Sequence, residues 1–331
     1  MARSLLDDEQ FKLQFAGHET FPLRYGWLNK AYQEVARVHS DPTGDTNAIF
    51  NDESAISLFG VGKNMVVAMR HWALAAGVIH SGESETGARQ GRLMPTEFGY
   101  LLLGEGDPYL EHPASMWLIH WNLASRPGRA TTWYWAFNEF SEPNVDRELL
   151  SERLMRRIAA LRESGRMKES RITEATVKRD VECFVRTYLT RPTSSRAVQE
   201  DNIESPLSEL GLLQSVGVGS AFSFRRGPKP TLPDEVFLYG LMSFWTERYR
   251  TRRELSVEAV AHEPGSPGRV FLLDEESIAE RLASAGDLTG GAIRWDESTG
   301  MRQVYAHDID AITPLDLIRG MYRRNALAMA A

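Results

Sequence analysis

The stretch Glu53-Ser54-Ala55-Ile56-Ser57-Leu58-Phe59-Gly60-Val61-Gly62-Lys63-Asn64-Met65-Val66-Val67-Ala68-Met69-Arg70 decides the fold. Its first seven residues predict a short helix, and Gly60-Val61-Gly62 breaks it. A second helix over 63–76 then runs to Gly77, a residue suited to a left-handed cap. Val78-Ile79 begins a strand, a polar loop over 81–91 follows, and Leu93-Met94 starts the return. Thr96 caps one more helix over 97–103. Helix, tight turn, helix, hairpin is the order of a winged helix.

Downstream the order recurs less regularly. An amphipathic helix over 149–161 starts near Asp146, and Thr173 caps a long helix to about 189. A helix over 205–213, a strand at Phe222-Ser223-Phe224 and a basic wing tip at Arg225-Arg226-Gly227-Pro228-Lys229 complete the second unit, before a helix over 235–249. The acidic tail offers a third, degenerate copy: a helix over 275–285 and a hairpin from Ile293-Arg294-Trp295 to Gln303-Val304-Tyr305. Between the units, Trp117, Trp121, Trp133, Tyr134, Trp135, Phe137 and Phe140 read first as a packed core, with a base-stacking platform as the alternative.

Upstream, Thr20 and Pro22 predict the start of a helix over 22–37, with Leu23, Trp27, Ala31 and Val35 on its buried face. The entry to it, Gly17-His18-Glu19-Thr20-Phe21, sets an imidazole and a carboxylate beside a helix amino end, with Arg24 one turn on. Such an end favours a phosphate. His18 is a candidate for proton transfer, Glu19 for holding a divalent metal (magnesium or manganese) or orienting water, and Arg24 for offsetting transition-state charge. The competing reading is a helix entry whose polar groups satisfy local amides.

Composition sets the bounds. The 331 residues exceed one ordinary domain, and 42% apolar with 25% charged residues is normal globular usage. No apolar run approaches a membrane span, the first residues do not read as a signal peptide, and Cys183 is the only cysteine; a cytoplasmic location is expected. Net charge is −7, but residues 147–196 hold thirteen Arg or Lys against seven Asp or Glu. That local excess of six marks a candidate polyanion site, or else a solvated helix pair with ordinary ion pairs. Gly60-Val61-Gly62-Lys63 lacks the spacing of a phosphate-binding Walker loop, His112 and His120 are too far apart for paired metal ligands, and no nucleophile elbow occurs. No organic cofactor is expected.

Four motifs in one order carry a resemblance: Gly17-His18-Glu19-Thr20-Phe21 with Arg24-Tyr25-Gly26-Trp27-Leu28; Gly60-Val61-Gly62-Lys63-Asn64-Met65-Val66; Asp107-Pro108-Tyr109-Leu110-Glu111; and Trp117-Leu118-Ile119-His120-Trp121-Asn122-Leu123. Together they resemble a bacterial domain-of-unknown-function family associated with DNA phosphorothioation operons, that of the DNA-nicking components of Ssp systems. The resemblance covers roughly residues 14–250. It implies nicking, with a cysteine desulfurase, an ATPase and an ATP-pyrophosphatase-like sulfur-transfer protein as partners.

The sequence thus predicts a mainly α multidomain protein with two, possibly three, winged-helix-like units carrying small β-hairpins. Boundaries are expected at 1–143, 144–253 and 254–331. DNA contacts are expected from Lys63, Asn64, Arg70, Arg89 and Arg92 in the first unit, and from Lys178, Arg179, Arg225, Arg226 and Lys229 in the second. The expected function is DNA nicking in a phosphorothioation and phage-defence system. The alternative is a non-catalytic adaptor that recognises DNA and recruits the sulfur-transfer machinery; a transcriptional regulator is weaker, with no effector pocket or dimer helix evident. Nothing indicates a homo-oligomer or a membrane partner.

Overall fold

The computed structural model describes residues 4–51, 53–82, 91–142, 144–167, 172–189, 205–217, 219–297, 302–307, 309–310 and 313–330. It is mainly helical, with three small antiparallel sheets. None of its described helices is long and apolar enough to cross a membrane.

The first helix, α1 (Trp27–His39), starts five residues later than the sequence suggests. Thr20 does not cap it: its φ is +69°, and the cap position is Gly26 at φ +76°. The expected apolar face is nevertheless buried, with Leu23, Trp27, Ala31 and Val35 all inside. α1 packs on α3 (Lys63–Ala75), which follows α2 (Ser54–Phe59) and the Gly60–Gly62 turn. Gly77 takes the left-handed conformation at φ +73°. Strands β1 (Ile79–Ser81) and β2 (Leu93–Pro95) pair antiparallel, and β2 lies against α1. Thr96 Oγ1 accepts from the Gly99 amide at 2.8 Å, so α4 (Glu97–Gly99) opens as expected. It then continues as a wider π-helical turn over Tyr100–Gly106.

The aromatic middle is core. Helices α5 (Pro113–Ala124) and α6 (Thr131–Asn138) carry Trp117, Trp121, Trp133, Tyr134, Trp135 and Phe137, all buried, together with Phe140 just beyond. No ring there is open to stack a base. Around them run β3 (Asn144–Val145), α7 (Arg147–Glu163), α8 (Glu174–Tyr188), a single turn at Pro206–Leu210, β4 (Leu213–Ser215) and β5 (Phe222–Phe224). Asp146 and Thr173 cap α7 and α8 through their side chains. α9 (Asp234–Tyr249) crosses to α5.

The last quarter is less degenerate than its sequence suggests. β6 (Glu254–Ser256), α10 (Val257–His262), α11 (Pro267–Val270), α12 (Glu275–Ala283), α13 (Ala285–Leu288), β7 (Ile293–Asp296) and β8 (Gln303–Ala306) follow in order. Its sheet runs β6-β8-β7, the same arrangement as β3-β5-β4 in the segment before it: the strand ahead of the helices pairs with the second strand of the hairpin. A final helix, α14 (Pro314–Ala330), packs on α9 and the π-helical turn. One continuous apolar cluster joins all of these elements.

Candidate functional site

The residues from Ala16 to Thr20 form a turn under backbone strain. Ala16, Glu19 and Thr20 hold φ values of 61°, 47° and 69°, and Gly17 holds 106°. Left-handed geometry costs a non-glycine residue about 1 kcal/mol or more, so three in five residues must be held by something. A side chain on Gly17 would also collide with His71 Nδ1 at 2.7 Å. The holder is a buried polar cluster. His18, only 2% exposed, donates from Nε2 to Asp180 Oδ1 at 2.7 Å and accepts the Thr20 amide on Nδ1 at 3.1 Å. Accepting on Nδ1 leaves Nε2 as the nitrogen that carries the proton. The same Asp180 carboxylate accepts the Ala16 amide at 2.7 Å and the Thr132 hydroxyl at 2.5 Å. Trp72 lies stacked beside the imidazole and donates to the Phe21 carbonyl at 2.9 Å. Arg186 on α8 reaches the Thr20 carbonyl at 3.4 Å.

This geometry separates the three candidates of the turn. Both ring nitrogens of His18 are committed to protein partners and the ring is buried, so it fixes the turn. Arg24 is buried as well, its guanidinium 5.6 Å from the Phe21 ring and 5.5 Å from that of Trp27, a cation–π position away from solvent. Glu19 alone is exposed, with no partner for its carboxylate among the described residues.

The second unit departs further from expectation. The segment tip read as a basic wing is an internal clamp. Lys229 is 5% exposed and donates to the carbonyls of Arg225 at 2.9 Å, Gly227 at 2.8 Å and Leu272 at 3.2 Å. Burial, then the Arg225 and Arg226 charges, pull its pKa down to about 8. Arg226 donates to Gly268 O and Leu273 O. These two therefore join the second unit to the third; Lys229 is buried in doing so, whereas Arg226 and Arg225 remain exposed at the tip. On α8, Lys178 is exposed but paired with Glu174 at 2.7 Å, and exposed Arg179 donates to the Ala175 carbonyl at 3.3 Å.

Among the described residues, the cations along 147–196 are spent in the same way; Lys168, Arg171, Arg191 and Arg196 lie outside them. Arg153 pairs with Glu142, and Arg157 with Glu139 and Asp7, all acids from outside the segment. Arg166 donates to the carbonyls of Leu6, Asp8 and Phe11. Arg147 pairs with Glu182 and Arg156 with Glu152. Arg157 and Arg166 strap the amino-terminal segment onto α7 and the turn after it.

In the first unit Lys63 and Asn64 stand exposed at the amino end of α3, without a partner among the described residues. Arg70, two turns further along α3, is half-buried; burial, then Arg129, lower its pKa. Arg92 is exposed but turned to the carbonyls of His39 and Asp41 at 3.4 and 3.3 Å. Arg89 lies outside the described residues.

Sequence reasoning missed Asp180, Thr132 and Arg186. Asp180 left a signal: it stands among Val177, Val181, Phe184 and Tyr188 on the apolar stripe of α8, where an unpaired acid would be costly. Thr132 and Arg186 left none, because their partners are more than forty residues away in sequence. A divalent metal does not fit a preformed cage: among the described residues no three His, Cys, Asp or Glu converge.

Comparison with known proteins places the chain. A family model described as a protein of unknown function, DUF4007, matches residues 15–322. A crystal structure of magnesium ion-bound SspB superposes with a TM-score of 0.81 at 30% identity, covering 97% of this chain and 91% of that one. A second SspB crystal structure gives 0.78 at 31% identity, with 94% and 88% covered. Curated proteins contain no match. By family model and by fold, the chain is an SspB-like member of the DUF4007 family.

Proposed function

We propose that this protein is the DNA-nicking subunit of a DNA phosphorothioation and phage-defence system, acting beside a cysteine desulfurase, an ATPase and an ATP-pyrophosphatase-like sulfur-transfer protein. The observation that carries the reading is the likeness to SspB along nearly the whole chain. In this reading the chain holds three winged-helix-like units, divided at 143/144 and 253/254. Duplex DNA is met by the exposed amino end of α3 at Lys63 and Asn64, with Arg70 and Arg92 flanking; Arg89, outside the described residues, is a further contact proposed from the sequence. Lys178, Arg179 and Arg225 add a weaker second contact. The strained 16–20 turn presents Glu19 to a backbone phosphate, where its carboxylate orients the attacking water. His18 acts as a positioning residue through Asp180, and Arg24 props the turn from beneath.

A supercoiled plasmid tests this, with magnesium, with manganese and with chelator. Conversion to open circles by the wild type, lost in Glu19→Gln by about a hundred-fold or more with DNA affinity kept, is the expected result. Absence of open circles under every condition, with the partner proteins also present, overturns it. One observation favours the adaptor reading: the imidazole and the guanidinium of the turn are both buried and engaged. Binding and partner recruitment with no nicking would establish that alternative.

A further inference from the structure

The three large apolar side chains most open to solvent among the described residues stand beside one cleft. Leu327 is 72% exposed, Tyr109 70% and Tyr100 52%. Tyr100 opens the π-helical turn, Tyr109 lies on the loop just after it, and Leu327 is on α14. The turn and α14 wall a cleft of about 370 Å³, with Leu101 and Gly106 on one side and Tyr322 and Ala326 on the other. Exposed apolar residues scattered singly need no explanation, whereas a group of them beside a groove marks an interaction face.

The loop that carries Tyr109, Asp107-Pro108-Tyr109-Leu110-Glu111, is one of the motifs that the nicking reading leaves unused. Asp107 is buried, and its carboxylate accepts the amides of Glu111 at 2.9 Å and His112 at 2.8 Å. The Ser115 hydroxyl donates to it as well, at 2.5 Å, and Ser115 in turn meets Tyr322 of α14. Leu110 is held at φ +58°, a conformation unfavourable for a residue with a side chain, and is buried while its neighbour Tyr109 points outward. An aromatic fixed outward on so rigid a support loses little freedom when something covers it.

Charge selects what that cover is. Glu105 on the π-helical turn and Arg323 on α14 are both exposed walls of the cleft, and neither has an ion pair among the described residues. Their neighbours on α14 are matched: Arg319 meets Asp316 and Glu97, and Arg324 meets Glu235. A phosphate backbone would be repelled by Glu105 and by exposed Glu111. A face that carries one unmatched acid, one unmatched cation and exposed tyrosines is complementary to itself turned over, which is the requirement of a two-fold interface.

We infer that this face pairs with a second copy of the chain across a two-fold axis. Tyr100, Tyr109 and Leu327 pack at its centre, and Glu105 meets Arg323 of the partner subunit on either side. The pairing uses neither α3 nor the 16–20 turn, so it goes beyond the nicking reading and does not rest on it.

Sedimentation of the full chain over a concentration series tests this. The expected result is a concentration-dependent dimer, weakened at least ten-fold in Tyr109→Ala and in Leu327→Asp. Both side chains are exposed, so the melting temperature of the monomer should stay unchanged. Glu105→Arg alone and Arg323→Glu alone should each weaken the dimer to a similar degree. An equimolar mixture of those two variants, or one chain carrying both changes, should restore it, an outcome that general damage to the fold does not produce. A wild type that remains monomeric at every concentration overturns the inference. So does a dimer equally tight in Tyr109→Ala, which places the contact elsewhere, or a charge swap that fails to restore pairing. A monomer that binds a different protein through Tyr109 overturns it too, and gives the face to that occupant.

Discussion

The helix–turn–helix segment around α3 and the basic segment around α7 and α8 invite opposite expectations, and the structure exchanges them. The first has few cations, yet Lys63 and Asn64 project from a helix amino end with nothing to hold them. The second has the larger share of arginine, yet Arg147, Arg153, Arg156, Arg157 and Arg166 each have an acid or a carbonyl in place. A local surplus of charge in sequence is therefore no measure of positive surface. What decides is whether the fold brings acids and carbonyls from elsewhere to meet it, as Asp7, Glu139 and Glu142 do here.

The contrast breaks most visibly at Asp180. Asp180→Ala removes the acceptor shared by His18, Ala16 and Thr132 and leaves three buried donors unmatched. A loss of about 3–5 kcal/mol in urea unfolding is expected. A loss under 1 kcal/mol would mean that the strained turn is held by other contacts. Acid should act on the buried histidines nearly as strongly. Burial holds His120 down to about 4, with its ring hydrogen-bonded to Tyr188 and the Val270 carbonyl. Burial first, then the His18 charge, take His71 to about 3. Below the ordinary value of 6.5 the unfolded chain takes up these protons and the folded one does not. Stability is accordingly unaffected above pH 6.5, falls as pH drops from 6.5 to about 4, and loses roughly 3 kcal/mol from His120 alone. His120→Asn should flatten that slope when unfolding is followed against pH.

Lys229→Ala should cost about 2 kcal/mol by orphaning buried carbonyls, while the DNA affinity of the folded fraction stays unchanged. A binding defect without instability would return this lysine to the DNA surface. Lys63→Ala, at the other extreme of exposure, should leave the melting temperature alone, lower duplex affinity a few-fold and reduce its salt slope by about one. Equal salt slopes in Lys63→Ala and wild type would move the interface away from α3. The smallest effect belongs to Lys178→Ala, which loses only an exposed i,i+4 pair to Glu174 and should leave the melting temperature unchanged.

Elements with a local cause were legible in the sequence. The α2–turn–α3–hairpin order, the helix start near Asp146, the caps at Thr96 and Thr173, and the apolar face of α1 follow from spacing and from side chains that bond within a few residues. The start of α1 was not, because the 16–20 turn is set by Asp180, some 160 residues on. The same limit applies to Lys229, whose placement depends on Leu272. The third sheet was legible only as a hairpin, since its partner strand β6 offers just three residues of pattern. α14 went unread: nothing in its own stretch announces what it covers.

That closing helix has a consequence for the order in which the molecule is made. Tyr322 shares a hydrogen bond of 2.7 Å with Ser115, whose hydroxyl also serves buried Asp107; Asn325 meets His112, and Arg319 reaches Glu97. The residues they cover lie in the first third of the chain. A ribosome releasing this protein amino end first thus exposes the π-helical turn and the start of α5 uncovered until the last helix emerges. The start of α5, early in the chain, is thus among the last parts of the fold to be covered in time.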